Sequence, residues 1–225
     1  MIVKKYRSKL ININNTFEGI YTLEFESLNG AYKYYPGQFL HLALDKDYDG
    51  TGQWPESRCF SMQSNPDQKT IRITYAVKGR YTKQMNEELQ IGSEVWLKLP
   101  YGELFSQPHN KVDTVFIAGG TGITPFLSLF NDYSFKEYKN PKIYLGFRSE
   151  LHNIYQEELK ILKPFKVNVT YEKVDGRLDI NKIYSENGIG SDYFISGPPE
   201  MIKIFKKTLI SNGVFRNRVL TDEWE

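Results

Sequence analysis

Cysteine, histidine and tryptophan are scarce in this chain: one, three and three in 225 residues. With Cys59 alone, the sequence excludes an internal disulfide, a thiolate-ligated zinc site and a four-thiolate iron–sulfur cluster. No apolar run approaches the roughly 20 residues needed to span a bilayer. The opening MIVKKYRSKLI lacks the apolar stretch of a secretory leader. A reduced cytoplasm is the expected compartment. Nor is there a charge excess: 29 Lys+Arg face 27 Asp+Glu, a net +2. That balance argues against nucleic acid as the main partner, which calls for a concentrated basic surface. Aromatics are plentiful instead, with 16 Tyr and 14 Phe, a composition suited to β structure and to flat ligands. The length admits one large domain or two of ordinary size.

The chain changes grammar midway. Up to about residue 105 it reads as short strands between turns: Tyr21–Phe25, Phe39–Leu44, Ile71–Val77 and Glu94–Leu99. Pro36-Gly37 and Ile91-Gly92 supply turn signals. Strands at this spacing with little helix between them predict an antiparallel barrel or sandwich. From about residue 112, strand-like Thr114–Ala118, Lys142–Phe147, Val167–Tyr171, Tyr193–Ser196 and Arg218–Thr221 alternate with helix-like Pro125–Asn131, Asn153–Leu162, Leu178–Tyr184 and Pro199–Ser211. That alternation predicts a parallel sheet with helices on both faces. The polar bridge Ser106–Asp113 sets the boundary, giving domains over 1–107 and 112–225.

The sharpest feature of the second half is Phe116-Ile-Ala-Gly119-Gly120-Thr121-Gly122-Ile-Thr124-Pro125. An apolar strand ends in three glycines within four residues, and Thr124 reads as the N-cap of a helix with Pro125 in its first turn. Glycines permit close backbone approach, and a helix start offers free N–H groups with partial positive charge. Together they predict a pyrophosphate site. It is not the common dinucleotide fingerprint, since Pro125 holds the third glycine's place, and no Walker lysine follows. Arg148, ending the next strand, can meet a 2′-phosphate or lie against adenine, while Glu150 can accept from a ribose hydroxyl, so NADH and NADPH both stay open. A second turn, Gly197-Pro198-Pro199-Glu200-Met201, falls on the same sheet edge.

In the first half, Arg58-Cys-Phe60-Ser61-Met-Gln-Ser64 places an arginine, an aromatic ring and hydroxyls along a short extended stretch. Such a set can pair with phosphate, stack on a flat ring and hydrogen-bond its edge. Gly79-Arg80-Tyr81-Thr82 follows, with Thr82 read as the N-cap of a helix over Lys83–Leu89. One phosphate cradle in each half predicts two phosphate-bearing ligands that meet between the domains.

Taken in order, Pro36-Gly37-Gln38-Phe39, Arg58-x-Phe60-Ser61-x-x-Ser64, Gly79-x-x-Thr82, Pro100-Tyr-Gly102-x-x-Phe105, Gly119-Gly120-Thr121-Gly122-Ile-Thr124-Pro125, Gly197-Pro198-Pro199-x-Met201 and Asp222-x-Trp224 resemble the ferredoxin–NADP reductase superfamily over essentially the whole chain. The resemblance implies a six-stranded antiparallel FAD-binding barrel followed by a doubly wound, five-stranded parallel NAD(P)-binding domain. It implies that Arg58 and Gly79–Thr82 hold the flavin phosphates, that Phe60 packs on the isoalloxazine, and that Ser61 lies near its N5. Ser64, Tyr75, Val77 and Tyr81 complete that cofactor-binding set. Gly119, Gly120, Thr121, Gly122, Thr124 and Pro125 take the nicotinamide pyrophosphate, Arg148 the adenosine end, and Gly197, Pro198, Pro199 and Met201 the nicotinamide end. Ser61, Asp222 and Trp224 fall at the reacting centre, with Trp224 covering the flavin face.

Two positions depart from the family pattern: Phe60 replaces the usual tyrosine, and Ser196 stands where many relatives carry cysteine. No iron–sulfur or haem module lies within these residues, so the expected electron acceptor is a separate molecule. Three readings follow: an FAD-dependent NAD(P)H oxidoreductase serving a ferredoxin, a flavodoxin-like carrier or an oxygenase component; an NAD(P)H:flavin reductase with flavin as a diffusing substrate; and a non-catalytic flavin-binding subunit. Hydride transfer needs no general base, and His41, His109 and His152 read as structural or surface residues. The row Lys4, Lys5, Arg7, Lys9 reads as a solvated strand.

Overall fold

A computed structural model describes residues 1–222. The chain divides into two compact units, Met1–Glu103 with Thr124–Asp132, and Leu104–Ile123 with the chain from Tyr133 onward.

The first unit is built on β1 (Lys4–Phe17), β2 (Ile20–Ser27), β3 (Phe39–Ala43), β4 (Ser57–Ser61), β5 (Thr70–Ala76) and β6 (Glu94–Tyr101). They form one antiparallel sheet in the order β4-β3-β6-β1-β2-β5. Alternation decides which way each strand faces. In β1, Tyr6, Ser8 and Leu10 are buried, while Lys4, Arg7 and Lys9 face water and Lys5 is half-buried. The basic row is therefore the outer face of a strand. At the β1–β2 hairpin Phe17 pairs with Ile20, and Gly19 takes φ +76°, the left-handed conformation such a tight turn requires. Just past β4, Gln63 N–H donates to Arg72 C=O at 2.8 Å and Ser64 Oγ accepts from Arg72 N–H at 3.0 Å. These bonds tie the two outermost strands together and close the sheet around its core. Leu10, Leu23, Phe25, Leu40, Leu42, Ile71, Ile73 and Leu97 fill it, all fully or almost fully buried. Each contributes roughly 1.5–3 kcal/mol of apolar burial.

Two helices pack on this unit. In α1 (Arg80–Glu88), Tyr81 and Met85, one turn apart, enter the core. The helix begins three residues before the predicted Lys83, with Gly79 as its N-cap. Thr82 is the third helical residue, and its hydroxyl reaches back to accept from the N–H groups of Lys78 (2.9 Å) and Gly79 (3.1 Å). That is the returning half of a capping box, which threonine performs as readily as the N-cap role. Helix α2 (Thr124–Phe130) is buried at every position.

The second unit contains β7 (Thr114–Gly119), β8 (Lys142–Phe147), β9 (Lys166–Tyr171), β10 (Asp192–Ser196) and β11 (Val219–Thr221), with α3 (Glu172–Asp175), α4 (Ile180–Asn187) and α5 (Pro199–Ser211). All strand pairs are parallel, in the order β9-β8-β7-β10-β11. The central strands β7 and β10 are buried throughout, as a sheet covered on both faces demands. Val115, Ile117, Tyr193 and Ile195 pack with Ile180 and Ile183 of α4 and Ile202, Phe205 and Leu209 of α5. On the other face Phe116 stacks on Phe194 at 5.4 Å, among Phe105, Phe135, Tyr138 and His109. Chain order reverses between β7 and β10, the switch point at which open α/β sheets bind ligands.

The helix predicted over Asn153–Leu162 is absent. Two short 3₁₀ turns, Glu150–His152 and Glu158–Leu162, take its place. Asn153 (6% exposed) and Tyr155 (1%) both point inward, and side chains two residues apart cannot share a helix face. Burial of the tyrosine overrides local helix preference here.

Candidate functional site

In the first unit the Arg58–Ser64 and Gly79–Thr82 motifs lie on and just after β4 and at the start of α1. Arg58 is exposed; its guanidinium lies over the Tyr81 ring at 5.1 Å, and its Nη2 is 3.2 Å from Glu56 Oε1. Arg80, the first residue of α1, places Nη2 2.5 Å from that same oxygen. Tyr81 is held by its hydroxyl donating to Leu42 C=O at 2.6 Å, and burial pushes its phenol far above the ordinary range. Gly79, at extended φ −115°, exposes the start of α1, whose first-turn N–H groups have no partner within the helix. Two guanidinium groups beside a helix N-terminus fit the charge and donor pattern of a diphosphate.

The rings and hydroxyls of the motif are set deeper. Phe60 is 7% exposed and meets Tyr75 edge-on at 6.0 Å, and Tyr75 stacks on Tyr21 at 5.7 Å. Val77 is partly buried against the same cluster. Ser61 is 5% exposed. Ser64 is fully buried and its polar atoms are occupied within the unit: Oγ accepts from Arg72 N–H and bonds the Tyr34 hydroxyl at 3.0 Å. Its carbonyl accepts from Tyr34 (3.1 Å) and from Ser128 Oγ of α2 (2.8 Å). Ser64 is thus a joint between β5, the Tyr34 loop and α2. On the other side of β4, Cys59 Sγ lies 3.6 Å from His41 Nε2 on β3. Burial raises the thiol's pKa against the opposing pull of Arg58; burial and the Lys98 charge lower that of His41.

In the second unit, Gly120 takes φ +55° and turns the chain straight out of β7 into a 3₁₀ turn, Gly120–Ile123. Thr124, 4% exposed, therefore begins α2 proper after helical winding has started, rather than capping it. A Cβ on Gly120 would meet nothing within 4 Å, so its requirement is conformational. Gly122 is different: a Cβ there would lie 2.5 Å from both Cα and N of Gly197. Gly197, at φ +152°, lies against Gly119 in turn; a Cβ on it would stand 3.0 Å from Gly119 N and 2.7 Å from Met201 Cε. The glycines of the two turns thus serve each other, letting two backbones interlock at the switch point. Thr121 is half-buried, and Pro198 and Pro199 are exposed at the start of α5, with Pro199 as its first residue.

Two further residues belong to this edge. Ser196 ends β10 at 2% exposure, and its hydroxyl donates to Asp222 Oδ2 at 3.1 Å. Arg148 is exposed at the end of β8, and its carbonyl accepts from Lys173 N–H at 3.2 Å. Its charge, with that of Lys173, adds to burial in lowering the pKa of His152, and with Arg177 it lowers that of Glu172. Trp224 lies outside the described residues.

The sequence reading missed Glu56 as the shared partner of Arg58 and Arg80, and Ser128 as the anchor of Ser64. Opposite charges beside two motifs were visible, but no spacing rule joins residue 56 to residue 80.

Residues 116–207 match a family model described as the oxidoreductase NAD-binding domain. The chain is 27% identical over 217 residues to the propane 2-monooxygenase reductase component of Mycolicibacterium smegmatis, covering 87% of this chain and 60% of that one. It is 24% identical over 254 residues to the phenol 2-monooxygenase reductase component of a Pseudomonas strain, covering 99% and 66%. The chain thus spans 60% and 66% of the length of these two relatives. Among solved structures, the ferredoxin reductase in carbazole 1,9a-dioxygenase superposes with a TM-score of 0.80 at 19% identity, covering 100% of this chain and 70% of that one. A ferredoxin NADP+ reductase from Neisseria gonorrhoeae, with bound FAD and NADP, gives 0.77 at 20%, covering 93% and 92%. The two sheets, six-stranded antiparallel and five-stranded parallel, are those expected. No helix among the described residues is long and apolar enough to cross a membrane.

Proposed function

We propose that this chain, a member of the ferredoxin–NADP reductase superfamily, is an FAD-dependent NAD(P)H oxidoreductase that delivers electrons to a separate acceptor in the cytoplasm. Its relatives named as reductase components of monooxygenases favour an oxygenase component as that acceptor. The observation that carries the reading is a pair of diphosphate-suited turns, one in each unit: the Arg58–Arg80 end of α1, and the Gly119–Gly122 turn interlocked with Gly197. We read 1–107 as the flavin-binding domain and 112–225 as the nicotinamide-binding domain.

Bound FAD would accept a hydride from NAD(P)H and release its electrons onward; the protein supplies position and charge. Arg58, with Gly79 and Thr82 at the start of α1, binds the flavin phosphates. Phe60, Tyr75, Val77 and Tyr81 form the apolar wall, and Ser61 offers a hydroxyl to the ring edge. Ser64 supports this wall from behind through Arg72 and Ser128. Gly119, Gly120, Thr121 and Gly122 receive the nicotinamide diphosphate, with Thr124 and Pro125 setting the following helix. Arg148 takes the adenosine end, and Gly197, Pro198, Pro199 and Met201 guide the nicotinamide end. Ser196 orients Asp222.

The second reading, a reductase of diffusing flavin, draws on Phe60, which lacks the hydroxyl that would bond the ribityl chain. Exhaustive dialysis separates the two: protein that stays yellow is a flavoprotein, and protein that bleaches into the dialysate while still oxidising NAD(P)H with added flavin is a flavin reductase.

A further inference from the structure

We infer that Glu56 is a built-in competitor of the flavin phosphate and sets how tightly flavin is held. The inference rests on the reading of Arg58 as a phosphate ligand.

Glu56 lies just before β4, two residues from Arg58 and 24 from Arg80. Both guanidinium groups converge on one of its oxygens, Oε1, at 3.2 Å and 2.5 Å. All three side chains are about half exposed or more. At that exposure, ion pairs add little to folding stability, so stability does not account for two arginines from different elements meeting on a single carboxylate oxygen. What they share is location: Arg58 lies over Tyr81, and Arg80 opens α1, so Glu56 Oε1 stands among the donors that a phosphate oxygen needs. A carboxylate oxygen and a phosphate oxygen seek the same geometry on a guanidinium. A flavin phosphate seated on Arg58 must therefore take donors from Glu56 or accept its negative charge close by. Either way the carboxylate weakens binding of phosphate-bearing flavins and leaves the phosphate-free ring system alone. Removing a flavin phosphate's exposed competitor is expected to tighten binding by about 3- to 10-fold. A protein that keeps such a competitor exchanges its flavin faster than one that lacks it.

The test is flavin fluorescence titration of apoprotein, wild type and the variants Glu56→Gln, Arg58→Ala and the double variant, with FAD and with riboflavin. Glu56→Gln should lower the Kd for FAD about 3- to 10-fold and leave riboflavin unchanged, and the gain should shrink in the Arg58→Ala background. Unchanged or weaker FAD binding by Glu56→Gln, while Arg58→Ala still weakens it, would overturn the role of Glu56 and leave the site intact. Equal tightening of FAD and riboflavin would also overturn it, since the effect would not pass through phosphate. If Arg58→Ala leaves FAD binding unchanged, the phosphate site itself is misassigned.

Discussion

Ser196 and Asp222 meet at the carboxyl ends of neighbouring strands, the serine hydroxyl donating to Asp222 Oδ2 at 3.1 Å while Asp222 N–H donates to Ile195 C=O at 3.0 Å. The side-chain bond runs from a nearly buried hydroxyl to a carboxylate, which places it among the stronger side-chain hydrogen bonds. It also gives the serine a task that a thiol in its place would perform poorly, since S–H is a weak donor. Ser196→Ala should cost about 1–2 kcal/mol in urea unfolding with an unchanged m-value, and should slow reduction by NAD(P)H. Ser196→Cys should fall between the two. Wild-type stability and rate in Ser196→Ala would show that the bond orients nothing.

Two glycines of the turn that follows β7 should fail in different ways. Gly120→Ala meets open space but must hold φ +55°, a penalty of about 1 kcal/mol. Gly122→Ala drives a Cβ to 2.5 Å from the Gly197 backbone, which separates the two turns. We expect a loss of several kcal/mol, on the order of 3, or failure to fold. Chemical denaturation of both variants, with NADH titration of whichever folds, checks the ranking; a milder effect at Gly122 would contradict the interlock.

Ser64→Ala removes a hydroxyl bonded to Arg72 N–H and Tyr34. Tyr34 keeps its bond to the Ser64 carbonyl, but leaving Arg72 N–H without its acceptor should cost about 1–3 kcal/mol. Because the Ser64 hydroxyl faces the interior, the Kd for FAD at low denaturant should change less than twofold. A large loss of affinity in a stably folded variant would mean that Ser64 touches the flavin after all.

Cys59 should be a sluggish thiol. Its pKa is raised by burial, so at any pH below that value its thiolate fraction is smaller than that of free cysteine. Reaction with a disulfide reagent should run slower than with glutathione at pH 8, and should climb only at higher pH. Faster reaction would indicate that His41, 3.6 Å away, activates the sulfur.

Much of the fold could be read from residue order. The strand at Lys142–Phe147 and the helix at Pro199–Ser211 fall where apolar runs and the paired prolines place them. The failures share a cause: tertiary contacts settled what local pattern left open. Tyr155 entered the core and abolished a helix. Thr82 used its hydroxyl from inside α1 rather than at its cap. The glycines at 119, 122 and 197 carry a second task that local pattern did not show, each turn making room for the other. The Glu56 cluster was out of reach, because only the fold brings residue 80 beside residues 56 and 58.

Whether nicotinamide reduces a flavin held by this chain is read directly by anaerobic titration with NADH and NADPH in parallel. Stoichiometric loss of the oxidised flavin absorbance with at least one donor, and its return on admitting air, is the predicted result. Flavin that stays fully oxidised under excess of both donors would contradict the account.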